Sequence, residues 1–258
     1  MRPLAFGAAL AALVSGMAFA DVPPPPPDAT PVQPSPAPTG EAPKPDEAPL
    51  PSKAEVLAVK ETDVGLGDPN APVKWIEYAS AGCPHCADLS LKILPQLKAD
   101  YIDSGKVYYV LRDFPLDNVA AAATVLARCV PREIFYPFME KLFADQAKWH
   151  SPDVADIKGA ILTIAAGFGL DEAAADACLK RQDLLDQVVK GMTEAEKVLQ
   201  VGSTPTSFIG DETVVGTVSV GDFKAALDKA LGVPSAGGSS TAPSPTPEQS
   251  KPAPEGTP

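Results

Sequence analysis

Apolar and polar positions divide the chain into three regimes. An apolar run spans residues 4–14, and the stretches 21–51 and 234–258 carry almost no aromatic or branched apolar side chain. Between them, Ser52 to Val233 shows the alternating and helical periodicities of one folded domain. Val56, Leu57, Val59, Val64 and Leu66 predict a short first strand, with a turn through Gly65 to Asn70. Val73-Lys74-Trp75-Ile76-Glu77-Tyr78, rich in strand formers, predicts a central strand. Leu89, Ile93, Leu94 and Leu97 then recur at helical spacing, which predicts a helix over 86–98 with a kink at Pro95. Ser104-Gly105 breaks that helix, and Lys106 to Leu111 predicts a second strand. Strand, helix and strand over this distance imply a parallel pair.

From Asp117 the pattern is helical for some eighty residues. Asp117 or Asn118 is placed to cap an alanine-rich helix running to Cys129, and Ile134, Phe135, Phe138, Met139, Leu142 and Phe143 mark the buried face of a helix over 133–149. Ser151-Pro152 predicts the next helix start, Gly167 or Gly169 its end. Asp171 caps a short helix containing Cys178, and a longer helix covers 184–199. Strands resume at Thr206 to Ile209 and Thr213 to Val215 around a Gly210-Asp211 turn, and a helix carrying Phe223, Leu227 and Leu231 closes the domain near Gly232. The helical block, about 116–190, thus reads as an insertion in an α/β fold.

Composition changes the picture at both ends. Of thirty prolines, thirteen fall between Asp21 and Pro51 and seven between Pro234 and Pro258, so neither stretch can bury a core. The first is expected to be an extended spacer and the second a disordered tail. Arg2, the apolar run and Ala18-Phe19-Ala20 before Asp21 are the three parts of a secretory signal peptide over 1–20, the alternative being an uncleaved anchor. Export implies an oxidising compartment, with the bacterial periplasm favoured, where four cysteines can be read as two pairs. A net charge of -12 argues against nucleic acid as a partner.

Candidate chemistry lies at Cys83-Pro84-His85-Cys86, where the central strand gives way to a helix. Unpaired N–H groups at a helix start favour a thiolate at Cys83, and a protonated His85 is expected to add to this. Stabilising the thiolate stabilises the reduced pair, so the oxidised pair tends to pass its disulfide on. Cys86, nearer the helix interior, is expected to be the less accessible sulfur. A metal site at Cys83, His85 and Cys86 lacks a fourth ligand, and Ala87 after Cys86 excludes haem attachment. Glu77, a carboxylate in an apolar strand, is either outward-facing or functional. His150 is expected at a surface or helix end outside the site.

The Cys83-Pro84-His85-Cys86 motif after a strand, the helical insertion, and Gly202-Ser203-Thr204-Pro205-Thr206 before a hairpin resemble the DsbA-like thiol:disulfide oxidoreductases of the thioredoxin superfamily. The resemblance covers about Val56 to Leu231. It implies a thioredoxin fold with an inserted all-helical subdomain, a cis Pro205 beside the redox sulfurs, and Thr204 offering backbone atoms to a bound peptide. It also implies that Glu77 assists proton transfer at Cys86, with Lys106 a candidate basic partner, and that no cofactor is needed. Some relatives carry an extra disulfide in the insertion, which would pair Cys129 with Cys178; two free thiols or a second redox pair are the alternatives. The implied partners are cysteine-containing exported proteins and a quinone-linked membrane reoxidant of the DsbB type, with the chain a monomer. Thr204 stands where the familiar oxidase has valine, so an isomerase or reductase stays open. A redox-inactive chaperone or binding module is the reading from a different functional class.

Overall fold

Residues 49–233 are described by a computed structural model. The expected signal peptide, all but the last residues of the proline-rich spacer, and the tail over 234–258 lie outside the described residues.

Where the hydrophobic pattern predicted a first strand, the chain forms helix α1 (Lys53–Leu57). Ser52 Oγ accepts from the Glu55 N–H at 3.3 Å, and the Glu55 carboxylate accepts from the Ser52 N–H at 2.7 Å. This reciprocal cap satisfies two otherwise unpaired donors and outweighs the strand preference of Val56. Of the expected strand only β1 (Gly65–Leu66) is extended and paired. Strand β2 (Val73–Ala79) follows, buried except at Lys74.

Helix α2 (Pro84–Asp88) starts with proline in its first turn, where a missing N–H costs nothing. The helical path then runs through a π turn (Leu89–Ile93), α3 (Leu94–Leu97) and a second π turn (Lys98–Ile102). Pro95 cannot donate to the preceding turn, and the helix widens so that the Leu94 N–H reaches the Leu89 carbonyl. The expected kinked helix over 86–98 is therefore longer, and its irregularity is spread over two wide turns. Gly105, at φ +75°, turns the chain into β3 (Val107–Asp113).

Six α-helices and one 3-10 turn (Arg132–Ile134) separate β3 from the last two strands, the α-helices being α4 (Asn118–Ala127), α5 (Phe135–Ala144), α6 (Gln146–Trp149), α7 (Ile157–Ala166), α8 (Glu172–Leu179) and α9 (Gln182–Leu199). Asp117 caps α4 by accepting from the Ala120 N–H at 2.8 Å. The single helix expected over 133–149 is divided at Asp145, whose backbone is non-helical and whose carboxylate takes ion pairs from Lys141 and Lys148. Helix α7 begins after Asp156, not after Ser151-Pro152: Asp156 Oδ1 accepts from the Gly159 N–H at 2.8 Å, whereas Ser151 Oγ takes only a long 3.4 Å contact from Asp153 within a turn. Strands β4 (Thr206–Ile209) and β5 (Glu212–Val215) and helix α10 (Val220–Ala230) complete the domain.

The sheet order is β1-β3-β2-β4-β5, with β2 and β3 parallel and the other neighbours antiparallel. This is a thioredoxin fold carrying an all-helical insertion. Alternation along β2 sends Trp75 and Ala79 to the larger core with Tyr109 and Leu111, and Ile76 and Tyr78 to a second core with Val110, Phe208 and Ala195 of α9. Buried Arg112 closes the far edge: it pairs with Asp63 at 2.7 Å and donates to the carbonyls of Val56 and Ala58, fastening the end of α1 to β3.

Cys129 and Cys178 are joined, Cα to Cα 6.2 Å, tying the end of α4 to α8 across 49 residues. A loop of that length restricts the unfolded chain by roughly 4 kcal/mol before native strain is subtracted. Replacing both cysteines with alanine is expected to lower unfolding stability by about 2–4 kcal/mol in urea denaturation while the Cys83 and Cys86 thiols still react.

Candidate active site

Strand β2 ends inside the core, and the loop Ser80-Ala81-Gly82 carries the chain to the start of α2. The Cys83 N–H closes a turn on the Ser80 carbonyl at 3.0 Å, and Ser80 Oγ accepts from the N–H groups of Gly82 and Leu116, each at 3.3 Å. Cys83 is the N-cap of α2, in extended conformation, and no side chain caps the helix. Its own sulfur is therefore next to the unpaired N–H groups of the first turn. Cys83 and Cys86 are both free thiols and both buried.

From the other side of the sheet, the antiparallel pairing of β4 with β2 brings the Thr204–Pro205 peptide, which is cis, against this helix start. The Cys83 thiol donates to the Thr204 carbonyl at 3.3 Å, although 121 residues separate the two in sequence. Thr217 Oγ1 donates to the His85 carbonyl at 2.7 Å, so the segment after β5 holds the same turn.

The Cys83 thiol is lowered from its ordinary value near 9 to about 5. The largest cause is the hydrogen bond from Cys86; the Thr204 side chain and the backbone N–H groups of Cys86 and His85 add to it, and together they overcome burial. The Thr204 hydroxyl has no other partner among the described residues and counts among the groups that lower the thiol. His85 itself is exposed, and it is its backbone N–H that figures among these donors. Burial, above all, pushes the Cys86 thiol up, with the hydrogen bond to Cys83 and the nearby Glu77 acting in the same direction.

Glu77 faces the same core and is 1% exposed. Burial raises its carboxyl to about 7, the Tyr109 hydrogen bond opposes this, and the Cys83 charge reinforces it. Tyr109 Oη donates to Oε2 at 2.6 Å, while Oε1 has no partner among the described residues. The partner of Glu77 is thus Tyr109 and not the expected Lys106, whose ammonium donates to the Asp100 carbonyl at 3.0 Å and lies over the Tyr101 ring. Strand alternation explains the substitution: Tyr109 stands beside Trp75 in register, on the face where Glu77 also lies, and Lys106 precedes the strand.

A family model described as Thioredoxin (Thioredoxin_4) matches residues 59–229. The chain belongs to the DsbA-like thioredoxin family. It is 30% identical over 176 residues to a Rickettsia bellii protein with the provisional name protein-disulfide oxidoreductase, an overlap of 67% of this chain and 66% of that one. Of the Rickettsia conorii counterpart it spans 62%. The crystal structure of Wolbachia pipientis alpha-DsbA1 superposes with a TM-score of 0.65 at 30% identity, covering 70% of this chain and 96% of that one. Oxidised BdbD from Bacillus subtilis shares the fold, with a TM-score of 0.59 at 23% identity over 66% and 94% of the two chains.

In this DsbA-like chain the insertion also reaches the redox loop, which the sequence pattern did not reveal. Gln146 of α6 donates through Nε2 to the carbonyls of Ala81 at 2.7 Å and Cys83 at 3.0 Å. His150, expected away from the site, lies over Gly82 and pairs with Asp117 at 2.8 Å. Neither residue has a local motif. Only the packing of α6 against the loop brings them in.

Two outcomes follow from these ionisations. Because the folded value of Cys83 is depressed, its ionisation stabilises the reduced protein above the ordinary thiol value, and this contribution is lost as pH falls through the folded value. The stability gap between the reduced protein and its Cys83→Ala variant is therefore expected to widen from about pH 5 to about pH 9 in denaturant titrations. Tyr109→Phe removes the one hydrogen bond that lowers the Glu77 carboxyl. Carbonyl-stretch infrared titration, with Glu77→Gln to identify the band, is expected to place its midpoint above 7.

Proposed function

We propose that the chain is an exported thiol:disulfide oxidoreductase that passes a Cys83–Cys86 disulfide to proteins folding in the periplasm. The supporting observation is the unequal environment of two neighbouring buried thiols: Cys83 is held as a thiolate by the Cys86 hydrogen bond, Thr204 and the helix start, whereas Cys86 is kept protonated by its burial. The first of these favours the reduced pair, so the oxidised pair is the higher-energy state and gives its disulfide away.

In the reaction we infer, a substrate thiolate attacks the Cys83 sulfur, the Cys83–Cys86 bond breaks, and a mixed disulfide forms. Cys86 is a poor leaving group because burial disfavours its thiolate. Glu77, whose carboxyl is raised by burial to about 7, is protonated in a sizeable fraction of molecules at neutral pH and can give that proton to the departing sulfur. The substrate's second thiolate then attacks its own sulfur in the mixed disulfide and releases Cys83 as a thiolate. Two electrons pass to the pair; of the two protons lost by the substrate thiols, one is retained at Cys86 through Glu77 and one goes to solvent. The cis Thr204–Pro205 segment lies beside Cys83, and in this reading its backbone aligns the substrate peptide. A quinone-linked membrane partner of the DsbB type would reoxidise the pair.

Equilibration with glutathione buffers reports the direction. A potential well above about -270 mV, the thioredoxin value, is expected; a value at or below it would replace the oxidase by a reductase or isomerase. Oxidative refolding of a reduced, denatured substrate is expected to proceed with the disulfide form and to stop in Cys83→Ser; mixed with a disulfide-containing substrate, Cys86→Ala is expected to accumulate a mixed disulfide through Cys83, because no second thiol resolves it.

A further inference from the structure

The loop before the nucleophile contains its most pliable residue, Gly82, and both flanking carbonyls are held by one side chain. Gln146 Nε2 donates to the carbonyl of Ala81 at 2.7 Å and to that of Cys83 at 3.0 Å. An amide oxygen in that place would face two carbonyl oxygens, so the orientation of the Gln146 amide is determined by its partners. The Cys83 carbonyl also accepts from the Ala87 N–H at 3.1 Å, the first helical bond of α2. Gln146 thus shares an acceptor with the hydrogen bond that forms the cap. One turn later on the insertion, the His150 ring covers Gly82: a Cβ there would stand 2.5 Å from Nε2 and 2.6 Å from Cε1. Gly82 has negative φ, so what the position requires is space for His150 and not a left-handed backbone. His150 is kept in place by Asp117, itself the cap of α4, and Trp149 beside it is fully buried and donates to the Leu142 carbonyl at 2.9 Å.

We propose that Gln146 is a positioning residue for the reaction of Cys83: with His150 over Gly82, it fixes the backbone on both sides of that glycine and holds Cys83 in the cap geometry that turns its sulfur toward the α2 N–H groups. The helical insertion is then part of the redox centre and does more than extend the substrate surface. A sulfur in this cap gains from donors only while they converge on it. Freeing Gly82 restores backbone freedom next to the nucleophile and blurs that convergence. The inference rests on the reading of Cys83 as the reacting sulfur.

The test is the thiolate absorbance of Cys83 against pH in the reduced full chain, in Gln146→Ala, Gln146→Glu and Gly82→Ala. Gln146→Ala is expected to raise the midpoint by about half a pH unit, a roughly threefold loss of acidity. Gln146→Glu, which sets an acceptor against two carbonyls, is expected to raise it further. Gly82→Ala displaces His150 without touching Gln146 and is expected to shift the midpoint in the same direction. Gln146→Lys, which retains a donor, is expected to recover part of the loss. Unchanged midpoints in folded Gln146→Ala and Gln146→Glu overturn the proposal and leave Gln146 a packing contact. If Gln146→Glu does not fold, Gln146→Ala and Gly82→Ala decide in the same way. A glutathione potential at the thioredoxin value with shifted midpoints would remove the oxidase reading and keep the clamp.

Discussion

A thiolate inside a folded core is tolerable only where several donors meet at one point, and the Cys83 sulfur is that point. Its donors come from separate parts of the chain: the first turn of α2, the Cys86 thiol, and the Thr204 side chain in the segment before β4. Their convergence offsets the cost of burial and makes one of two neighbouring thiols acidic while the other stays protonated.

The sheet is the device that brings these donors together. Because β2 lies between parallel β3 and antiparallel β4, the end of β2 meets the start of β4, and Cys83 meets Thr204. The same central strand places Glu77 beneath the helix, between β3, which supplies Tyr109, and the redox pair. A buried carboxyl whose only hydrogen-bond partner among the described residues is one tyrosine is costly to the fold. It is also the kind of group that can pass a proton at neutral pH.

The Cys83-Pro84-His85-Cys86 turn, the central strand, the parallel pair, the helical block and the closing hairpin were legible in the sequence because each depends on local residue types and periodicity. Cys83 before a proline-led helix, and Pro205 before a strand, are features of this kind. Errors fell where a side chain competed locally with the pattern. Ser52 and Glu55 turned an apparent strand into α1, Asp145 divided a helix, and Asp156 displaced the cap assigned to Ser151.

By itself, then, the sequence determined which residues make up the candidate site, since thiol spacing, a helix start and a carboxylate in an apolar strand are written within a few residues of one another. Only the tertiary structure decided what those residues touch. Glu77 meets Tyr109 and not Lys106 because strand alternation, set by register, puts the tyrosine on its face. Gln146 and His150 reach the redox loop because α6 packs there, across a separation that no local pattern encodes. The physical reason is the range of the forces involved: propensity and capping act over a few residues, whereas burial and hydrogen-bond convergence depend on which distant segments the fold brings into contact.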